Sequence, residues 1–162
     1  MNMVKLPRSK KDEQEFGPGK KEYIVCPECD SAYFDKSWHH LLHEEKPGHL
    51  QKDKKITYKT CPACNMKNKK MYEGEVTIML GDLKIKQDVL NSIKNSDEMA
   101  RQRDTLDRVL WLEDKGNIIK IFTSENQLAA KIGKKLSSAH PGGKLDIKHS
   151  KDEDITRVRV EI

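Results

Sequence analysis

The stretches Cys26-Pro27-Glu28-Cys29 and Cys61-Pro62-Ala63-Cys64 contain all four cysteines of the chain, in two C-P-x-C motifs separated by 31 residues. Two cysteines at this spacing can direct both sulfurs of a tight turn at one ion, and a second pair completes a tetrahedron with metal–sulfur distances of about 2.3 Å. Proline presets φ in each turn. Asp30 and Asn65 follow the motifs and tolerate the left-handed conformation. The sequence therefore predicts one four-cysteine metal site with two similar halves, and zinc is the expected metal.

Other uses of these cysteines stay open. Free thiols or disulfides are one alternative, although the reducing cytosol favours metal ligation over disulfides. Iron is another, since the spacing resembles that of rubredoxin, a small electron carrier. Rubredoxins are acidic and usually place glycine after each motif, whereas this part of the chain is basic and carries Asp30 and Asn65. A thioredoxin-like use is disfavoured because neither pair lies in a βαβ pattern.

Length and composition indicate one small domain or two. The chain has 162 residues, of which 35% are hydrophobic and 35% charged, so it offers modest core material. A bound zinc ion would offset this shortage because metal binding contributes folding free energy. The N-terminus is polar, and no apolar run approaches the roughly 18 residues of a membrane span. We expect a soluble, cytoplasmic protein with no membrane partner.

Positive charge is concentrated in the first half of the chain. The net charge is +5, with +4 on residues 1–73 and +1 on residues 74–162. A basic surface around a metal site suggests RNA as a partner, because neutralised phosphates release counterions and that release drives binding. A merely solubilising surface is the alternative. The lysines expected to contact phosphates are Lys20, Lys21, Lys52, Lys54, Lys55, Lys67, Lys69 and Lys70.

Three segments follow from the pattern along the chain. Residues 1–21 are polar and contain Gly17-Pro18-Gly19, which predicts a flexible basic tail. Residues 22–73 form the predicted zinc ribbon, with short strands at 22–25 and 56–58 that lead into the two cysteine motifs. Residues 74–162 form a predicted α+β domain.

Periodicity in the α+β domain predicts the order β-α-β-β-α-β with an extra C-terminal strand. Strands are expected at residues 75–80, 108–113, 118–123, 145–149 and 155–162. The first helix follows Gly81-Asp82, and the polar run to Asp104 extends it or forms a second short helix. The last helix is expected to begin at a capping box of Ser124 and Gln127 and to end at Pro141-Gly142-Gly143. The apolar positions of the two helices are Ile85, Val89, Leu90 and Ile93 in the first and Leu128, Ala129, Ile132 and Leu136 in the second.

This order is that of the ferredoxin-like, or split βαβ, sandwich, in which one sheet carries both helices on one face. The predicted fold class is therefore α+β, a zinc ribbon followed by a ferredoxin-like sandwich with an extra C-terminal strand. Because this fold has many functions, it determines none of them.

The sequence offers few residues for catalysis. It lacks a Gly-x-x-x-x-Gly-Lys-Ser/Thr nucleotide loop and a Gly-x-Ser-x-Gly nucleophile motif. A second metal site or a general base could use His39, His40 and His43, but four thiolates already saturate a tetrahedral ion. We expect no enzymatic activity, with these histidines facing solvent or phosphate. The nearby aromatic residues Tyr33, Phe34 and Trp38 are expected to pack over the ribbon, and stacking on bases is the alternative.

The layout of these motifs resembles a known family. The two cysteine pairs, then Gly74-Glu75-Val76, then the strand at 118–123 running into the last helix, resemble short bacterial zinc-ribbon proteins that are largely uncharacterised. More distantly they resemble the front half of the archaeal and eukaryotic adaptor that binds the large ribosomal subunit. That adaptor has more cysteine pairs and further domains, so the resemblance implies a ribosome or ribosomal-RNA context and not nuclear export.

The leading hypothesis is a non-enzymatic zinc protein associated with RNA or the ribosome. A protein-binding adaptor with a structural zinc ion and a rubredoxin-like iron electron carrier are the alternatives. Oligomeric state is not indicated by the sequence.

Overall fold

A computed structural model describes residues 23–40 and 55–162. The predicted tail and the middle of the predicted ribbon lie outside the described residues. So do several residues singled out from the sequence, namely Lys20, Lys21, His43, Lys52 and Lys54.

The first sheet has four short strands in the order β3-β2-β1-β4. The strands are β1 (Tyr23–Val25), β2 (Ser31–Phe34), β3 (Ser37–His40) and β4 (Ile56–Tyr58). The first three pair antiparallel, whereas β4 runs parallel to β1. Because β1 and β4 run in the same direction, both deliver the chain to a cysteine pair at the same end of the sheet. The two predicted strands that lead into the cysteine motifs are confirmed.

A hairpin between β2 and β3 was not predicted. Its two turn residues, Asp35 and Lys36, have φ values of 46° and 67°. Two consecutive positive φ values are typical of the type I′ turn that joins right-twisted strands, and Asn-Gly or Asp-Gly is its usual sequence signal. Asp35-Lys36 lacks the glycine, so the sequence does not indicate this turn.

The second cysteine pair lies on a helix, which corrects the prediction of two similar turns. Cys61 is the N-cap of α1 (Pro62–Asn68), and Pro62 opens its first turn, where a missing backbone N–H has no cost. Positive φ values occur at other residues of the described chain and at neither Asp30 nor Asn65. The two halves of the site therefore differ: one is a turn between strands and the other is a helix N-terminus.

The second sheet has five strands in the order β6-β7-β5-β9-β8. The strands are β5 (Gly74–Met79), β6 (Val109–Asp114), β7 (Ile118–Thr123), β8 (Lys144–His149) and β9 (Thr156–Glu161). Gly116, with φ of 79°, completes the hairpin between β6 and β7. These strands fall within one or two residues of their predicted positions, and the α+β class is confirmed.

The C-terminal strand β9 is inserted into the sheet and is not added at its edge. It lies between β5 and β8, parallel to the former and antiparallel to the latter. Opposite Val76 stand Ile121 on one side and Val158 on the other, so apolar side chains of three neighbouring strands share a face. The insertion leaves β8 as the edge strand.

Both helices cover one face of this sheet, as predicted. They are α2 (Lys86–Arg103), preceded by a 3-10 turn at Leu83–Ile85, and α3 (Asn126–Ala139). The polar run to Asp104 extends α2 and forms no second helix. One apolar cluster joins sheet and helices, and its fully or nearly buried members include Val76, Ile78, Val89, Ile93, Ile119, Ile121, Leu128, Ile132, Leu136, Val158 and Val160. Gly133 lets α3 approach the sheet closely, because a Cβ there would lie 2.4 Å from Val158 Cγ1.

The predicted capping box of α3 is wrong. The N-cap is Glu125, which makes no side-chain cap hydrogen bond. Ser124 instead donates from its hydroxyl to Leu106 O at 2.7 Å and accepts from Arg108 N at 2.9 Å. Its side chain therefore fixes the segment that leads into β6 and not the helix that follows it.

Candidate metal centre

The four cysteine sulfurs converge on one point. The Sγ atoms of Cys26, Cys29, Cys61 and Cys64 all lie within 4.8 Å of one another, and Cys29 Sγ is 3.6 Å from Cys61 Sγ. Sulfurs that are each about 2.3 Å from a tetrahedral ion lie roughly 3.8 Å apart. All four cysteines are free thiols and form no disulfide. The predicted set is thus brought together in a group that could hold a metal ion.

Local backbone geometry orients the sulfurs. Cys26 follows the last residue of β1, and its Sγ accepts a hydrogen bond from Cys61 N at 3.3 Å. Cys61 Sγ accepts one from Cys64 N at 3.4 Å, which closes the first turn of α1. Backbone N–H groups that point at sulfur favour the thiolate form, which is the form that binds metal.

Glu28 connects the two cysteine motifs through hydrogen bonds. Both of its carboxylate oxygens accept from Asn68 Nδ2 at 2.9 Å, and Oε1 also accepts from Thr60 Oγ1 at 3.1 Å. Glu28 lies inside the first motif, whereas Thr60 and Asn68 flank the second. These contacts hold the turn against α1 without using a metal ligand.

Arg108, from the second half of the chain, reaches into the site. Its side chain is buried, with 7% of the residue exposed. The guanidinium lies 3.7 Å from Cys29 Sγ and 3.9 Å from Cys64 Sγ, with N–H groups directed at both sulfurs, and it donates to Ser31 Oγ at 3.4 Å. The arginine therefore supplies positive charge and hydrogen bonds to sulfurs of the cysteine group.

A short connection between α2 and β6, which we call the docking segment (residues 104–108), makes several polar contacts with the first sheet and the cysteine motifs. Thr105 Oγ1 lies 2.6 Å from Ser31 Oγ, next to the first cysteine pair. His40 at the end of β3 contacts Arg101 O through Nε2 at 2.5 Å and Thr105 Oγ1 through Nδ1 at 3.5 Å. The first sheet thus docks on the C-terminal end of α2 and on the residues that follow it.

Apolar side chains enclose the cysteines on the side of the second sheet. Leu110 of β6 is 4% exposed and belongs to the same apolar cluster as the buried cysteines. Residues packed against that cluster are Trp38, Met66, Tyr72, Leu106 and Trp111. Trp111 stacks on Phe122 at 4.5 Å between ring centroids, and Tyr72 meets both rings edge-on. The site is therefore shielded by residues from both halves of the chain.

The thiols differ in their proton affinity when no metal is bound. The pKa of Cys29 is lowered to about 3, chiefly by a hydrogen bond from Cys61 and also by contacts with Ser31 and Arg108, against the opposing effect of burial. The same contact with Cys29, together with burial, strongly raises the pKa of Cys61. Burial raises the pKa of Cys64 to about 11. One thiolate is thus ready to bind a cation, and at least two protons must leave as the metal enters.

The donor set fits a structural zinc ion. Four cysteine sulfurs complete a tetrahedron, as in structural zinc sites, whereas catalytic zinc sites keep a position for water. Such a centre would carry two net negative charges, which the buried Arg108 partly offsets. Ferrous or ferric iron accepts the same four ligands, so the geometry alone does not identify the metal.

The aromatic residues near the site pack on one another. Tyr33 meets Trp38 edge-on at 5.6 Å, and Phe34 stacks on His39 at 4.1 Å. His39 Nε2 also lies 2.8 Å from Ser37 Oγ. The expectation that these rings pack over the first sheet is confirmed. The expectation that the histidines face solvent or phosphate is wrong for His40, which is a docking contact.

The predicted phosphate-binding lysines within the described residues are Lys55, Lys67, Lys69 and Lys70, and all four are exposed. Lys70 has a left-handed backbone, with φ of 55°, and its Nζ lies 4.7 Å from the centroid of the Trp111 ring. Its ammonium therefore packs on an aromatic face next to the cysteine group. The other three make no ion pair with any residue that the structure describes.

Sequence reasoning missed Arg108 and the docking segment. Arg108 is one of many basic residues, and it lies 79 positions from Cys29 and 44 from Cys64. Its position at the start of a strand is the one sequence feature that sets it apart, and it gives no indication of a metal contact.

Comparison with protein-family models and with curated protein sequences gave no match for this chain. Among residues 23–40 and 55–162, no helix combines the length and the apolar character needed to cross a lipid bilayer.

Proposed function

We propose that the protein binds one structural zinc ion through Cys26, Cys29, Cys61 and Cys64 and associates with RNA without catalysing a reaction. The observation that supports the metal most strongly is the burial of Arg108 against the cysteine sulfurs. A buried guanidinium is costly unless an anion compensates its charge. Arg108 makes no ion pair with a carboxylate of the described residues, and its nearest acceptors that can carry charge are Cys29 Sγ and Cys64 Sγ.

Disulfides would leave that cation without a counter-charge, whereas the ionised Cys29 supplies one negative charge. A zinc ion with four thiolates has a net charge of −2, so it strengthens this counter-charge while keeping all four sulfurs deprotonated. The arrangement thus favours a bound divalent metal over the disulfide alternative. Zinc is preferred for a centre whose ligands are enclosed and held from several sides, because such a site serves folding.

The charges around α1 support RNA as the partner. Lys67 and Lys69 lie at the end of α1, and Lys55 immediately precedes β4. By contrast, Lys86 of α2 and Lys120 of β7 are paired with carboxylates at 2.7 and 3.3 Å. Unpaired exposed lysines can exchange their counterions for phosphates, whereas paired ones have less to gain.

An exposed aromatic ring accompanies these lysines. Tyr58 on β4 is 70% exposed and follows Lys55 by three residues. Single-stranded nucleic acids bind where bases stack on aromatic rings beside cations. Combined with the resemblance to large-subunit adaptor proteins, this favours ribosomal RNA as the particular partner.

Charge removal at Lys55, Lys67 and Lys69 tests the RNA association. We expect the triple variant K55Q/K67Q/K69Q to bind a mixed-sequence single-stranded RNA more weakly than the wild type. Its slope of log affinity against log salt should fall by about 2, since each phosphate contact to a single strand contributes about 0.7. Fluorescence anisotropy with a labelled RNA, measured over a salt series, gives both quantities.

A matched control removes the same charge elsewhere. The variant K131Q/K134Q/K144Q changes three exposed lysines of α3 and β8, and it should keep the wild-type slope. Equal effects of the two triple variants would show that net charge alone matters and would contradict a specific RNA surface. Binding that is insensitive to salt in the wild type would also count against this function.

A protein-binding adaptor is the second candidate, and the exposed edge of the first sheet favours it. Ile56 and Tyr58 are 45% and 70% exposed on β4, which is the last strand on that side of the described sheet. Exposed strand edges can pair with an extended segment of another protein. The backbone N–H of Ile56 points away from β1, because Lys55 and Lys59 bond to that strand. A complex that survives nuclease and high salt, and that a proline substitution at Ile56 abolishes, would support this function in place of RNA association.

A further inference from the structure

Arg108 combines three features that a surface arginine does not have. It is buried, its guanidinium points at two cysteine sulfurs, and hydrogen bonds to Thr105 O hold its side chain in place. Nε donates to Thr105 O at 3.1 Å, and one terminal nitrogen donates to the same oxygen. The backbone of Arg108 is held in turn by Ser124, whose hydroxyl accepts from Arg108 N.

We propose that Arg108 is a positioning residue of the metal centre, one that strengthens metal binding by holding and neutralising the cysteine thiolates from the docking segment. The inference rests on the metal site proposed above and goes beyond it. It makes the metal centre a joint product of both halves of the chain, although all four ligands come from the first 64 residues.

The physical basis is twofold. First, four thiolates around a divalent ion leave a charge of −2, and a guanidinium less than 4 Å from two of the sulfurs offsets half of it in a poorly solvated place. Second, N–H groups that donate to thiolates withdraw electron density from sulfur and fix its orientation. Outer partners of metal ligands of this kind typically change metal affinity by about 10–100-fold when they are removed.

The fixed geometry distinguishes Arg108 from a general positive charge. Because Thr105 O holds the guanidinium in place, little side-chain freedom is lost when the sulfurs are bound. A lysine at this position would keep the charge, but it lacks the planar set of N–H groups that donates to two sulfurs and to Thr105 O at the same time. The role should therefore be only partly restored by lysine.

Cobalt(II) substitution tests the proposal, since sulfur-to-cobalt charge-transfer bands report on the thiolates directly. For the full chain with R108M, we expect Co²⁺ and Zn²⁺ affinities in chelator competition to fall by about 10–100-fold. The charge-transfer band should move to lower energy, because thiolates without N–H donors are stronger electron donors. R108K should recover part of the affinity but not the wild-type band position.

The control is R159M, which makes the same substitution at a β9 arginine remote from the cysteines and paired with Glu161. It should match the wild type in both affinity and spectrum. Unchanged affinity and band position in R108M would overturn the proposal. If R108M does not fold, R108K decides the question, and a lysine variant that equals the wild type in both readouts overturns it as well. A wild-type protein that shows no thiolate–cobalt bands would instead contradict the metal site itself.

Discussion

Cys61 and Cys64 hold their protons more tightly than Cys29 when no metal is bound. The raised pKa values of both thiols lie above the physiological range, so both are protonated at neutral pH. Cys29, with its pKa lowered to about 3, is already ionised and releases no proton on metal binding. The sign of the pH effect follows: protons compete with the metal, and metal affinity rises with pH.

We therefore expect the apparent zinc affinity to increase by at least about two orders of magnitude per pH unit between pH 6.5 and 8, one order for each thiol proton displaced. Chelator competition at constant ionic strength measures this slope. A matched titration of proton release in weakly buffered solution should give at least two protons per zinc ion. A slope of one or less would show that Cys61 and Cys64 are not both protonated ligands.

The contact of Arg108 with the cysteine group could not be predicted from the sequence. The four cysteines were identified because their spacing encodes coordination by itself. The arginine contributes through a contact across 79 positions of sequence to Cys29, and such a contact depends on how two sheets dock. No local sequence pattern indicates the contact between Arg108 and Cys29, so only the three-dimensional structure shows it.

At the scale of elements, Ser124 shows that a residue in a capping-box pattern can make a tertiary contact in place of the helix cap. Ser124 followed by Gln127 matches a capping box, but the hydroxyl bonds to Leu106 O and Arg108 N across the sheet edge. Tertiary contacts compete with local capping for the same hydroxyl. Here the backbone C=O of residue 106 and N–H of residue 108 would cost more free energy without a hydrogen bond than the helix N-terminus does.

Removal of this hydroxyl should destabilise the protein. We expect S124A to lower the free energy of unfolding by about 1–3 kcal/mol, because Ser124 is 4% exposed and its loss leaves buried backbone groups unsatisfied. Urea denaturation of the metal-loaded protein measures the change. The control S138A alters an exposed serine of α3 and should stay within about 0.5 kcal/mol of the wild type. Equal stability of the two variants would contradict the structural role of Ser124.

Strongly periodic elements were predicted well, and locally ambiguous ones were not. The alternation at Val76, Ile78 and Leu80 and the stripe from Leu128 to Leu136 gave the sheet and helix faces correctly, because burial imposes those periods. The β2–β3 hairpin was missed since Asp35-Lys36 lacks a glycine signal. The helix at the second cysteine pair was missed because Pro62 fits both a turn and a first helical turn.

At the scale of the whole molecule, the cysteine group sits where the first sheet meets the docking segment and β6. Ser31, His40 and Arg108 supply the polar contacts there, and Leu110 and Trp111 supply the apolar ones. A metal ion at this place would stabilise both halves together, since its ligands come from one and its enclosing residues from the other.

The most direct test of the central claim is the metal content of the purified full chain, measured by native mass spectrometry together with elemental analysis. The account predicts one zinc ion per chain, no iron and four reduced cysteines, with the zinc lost in the variant C61S. A colourless protein without metal, or one whose mass shows disulfides, would contradict the metal centre. One iron ion per chain, with a red colour that bleaches on reduction, would replace zinc by the electron-carrier alternative.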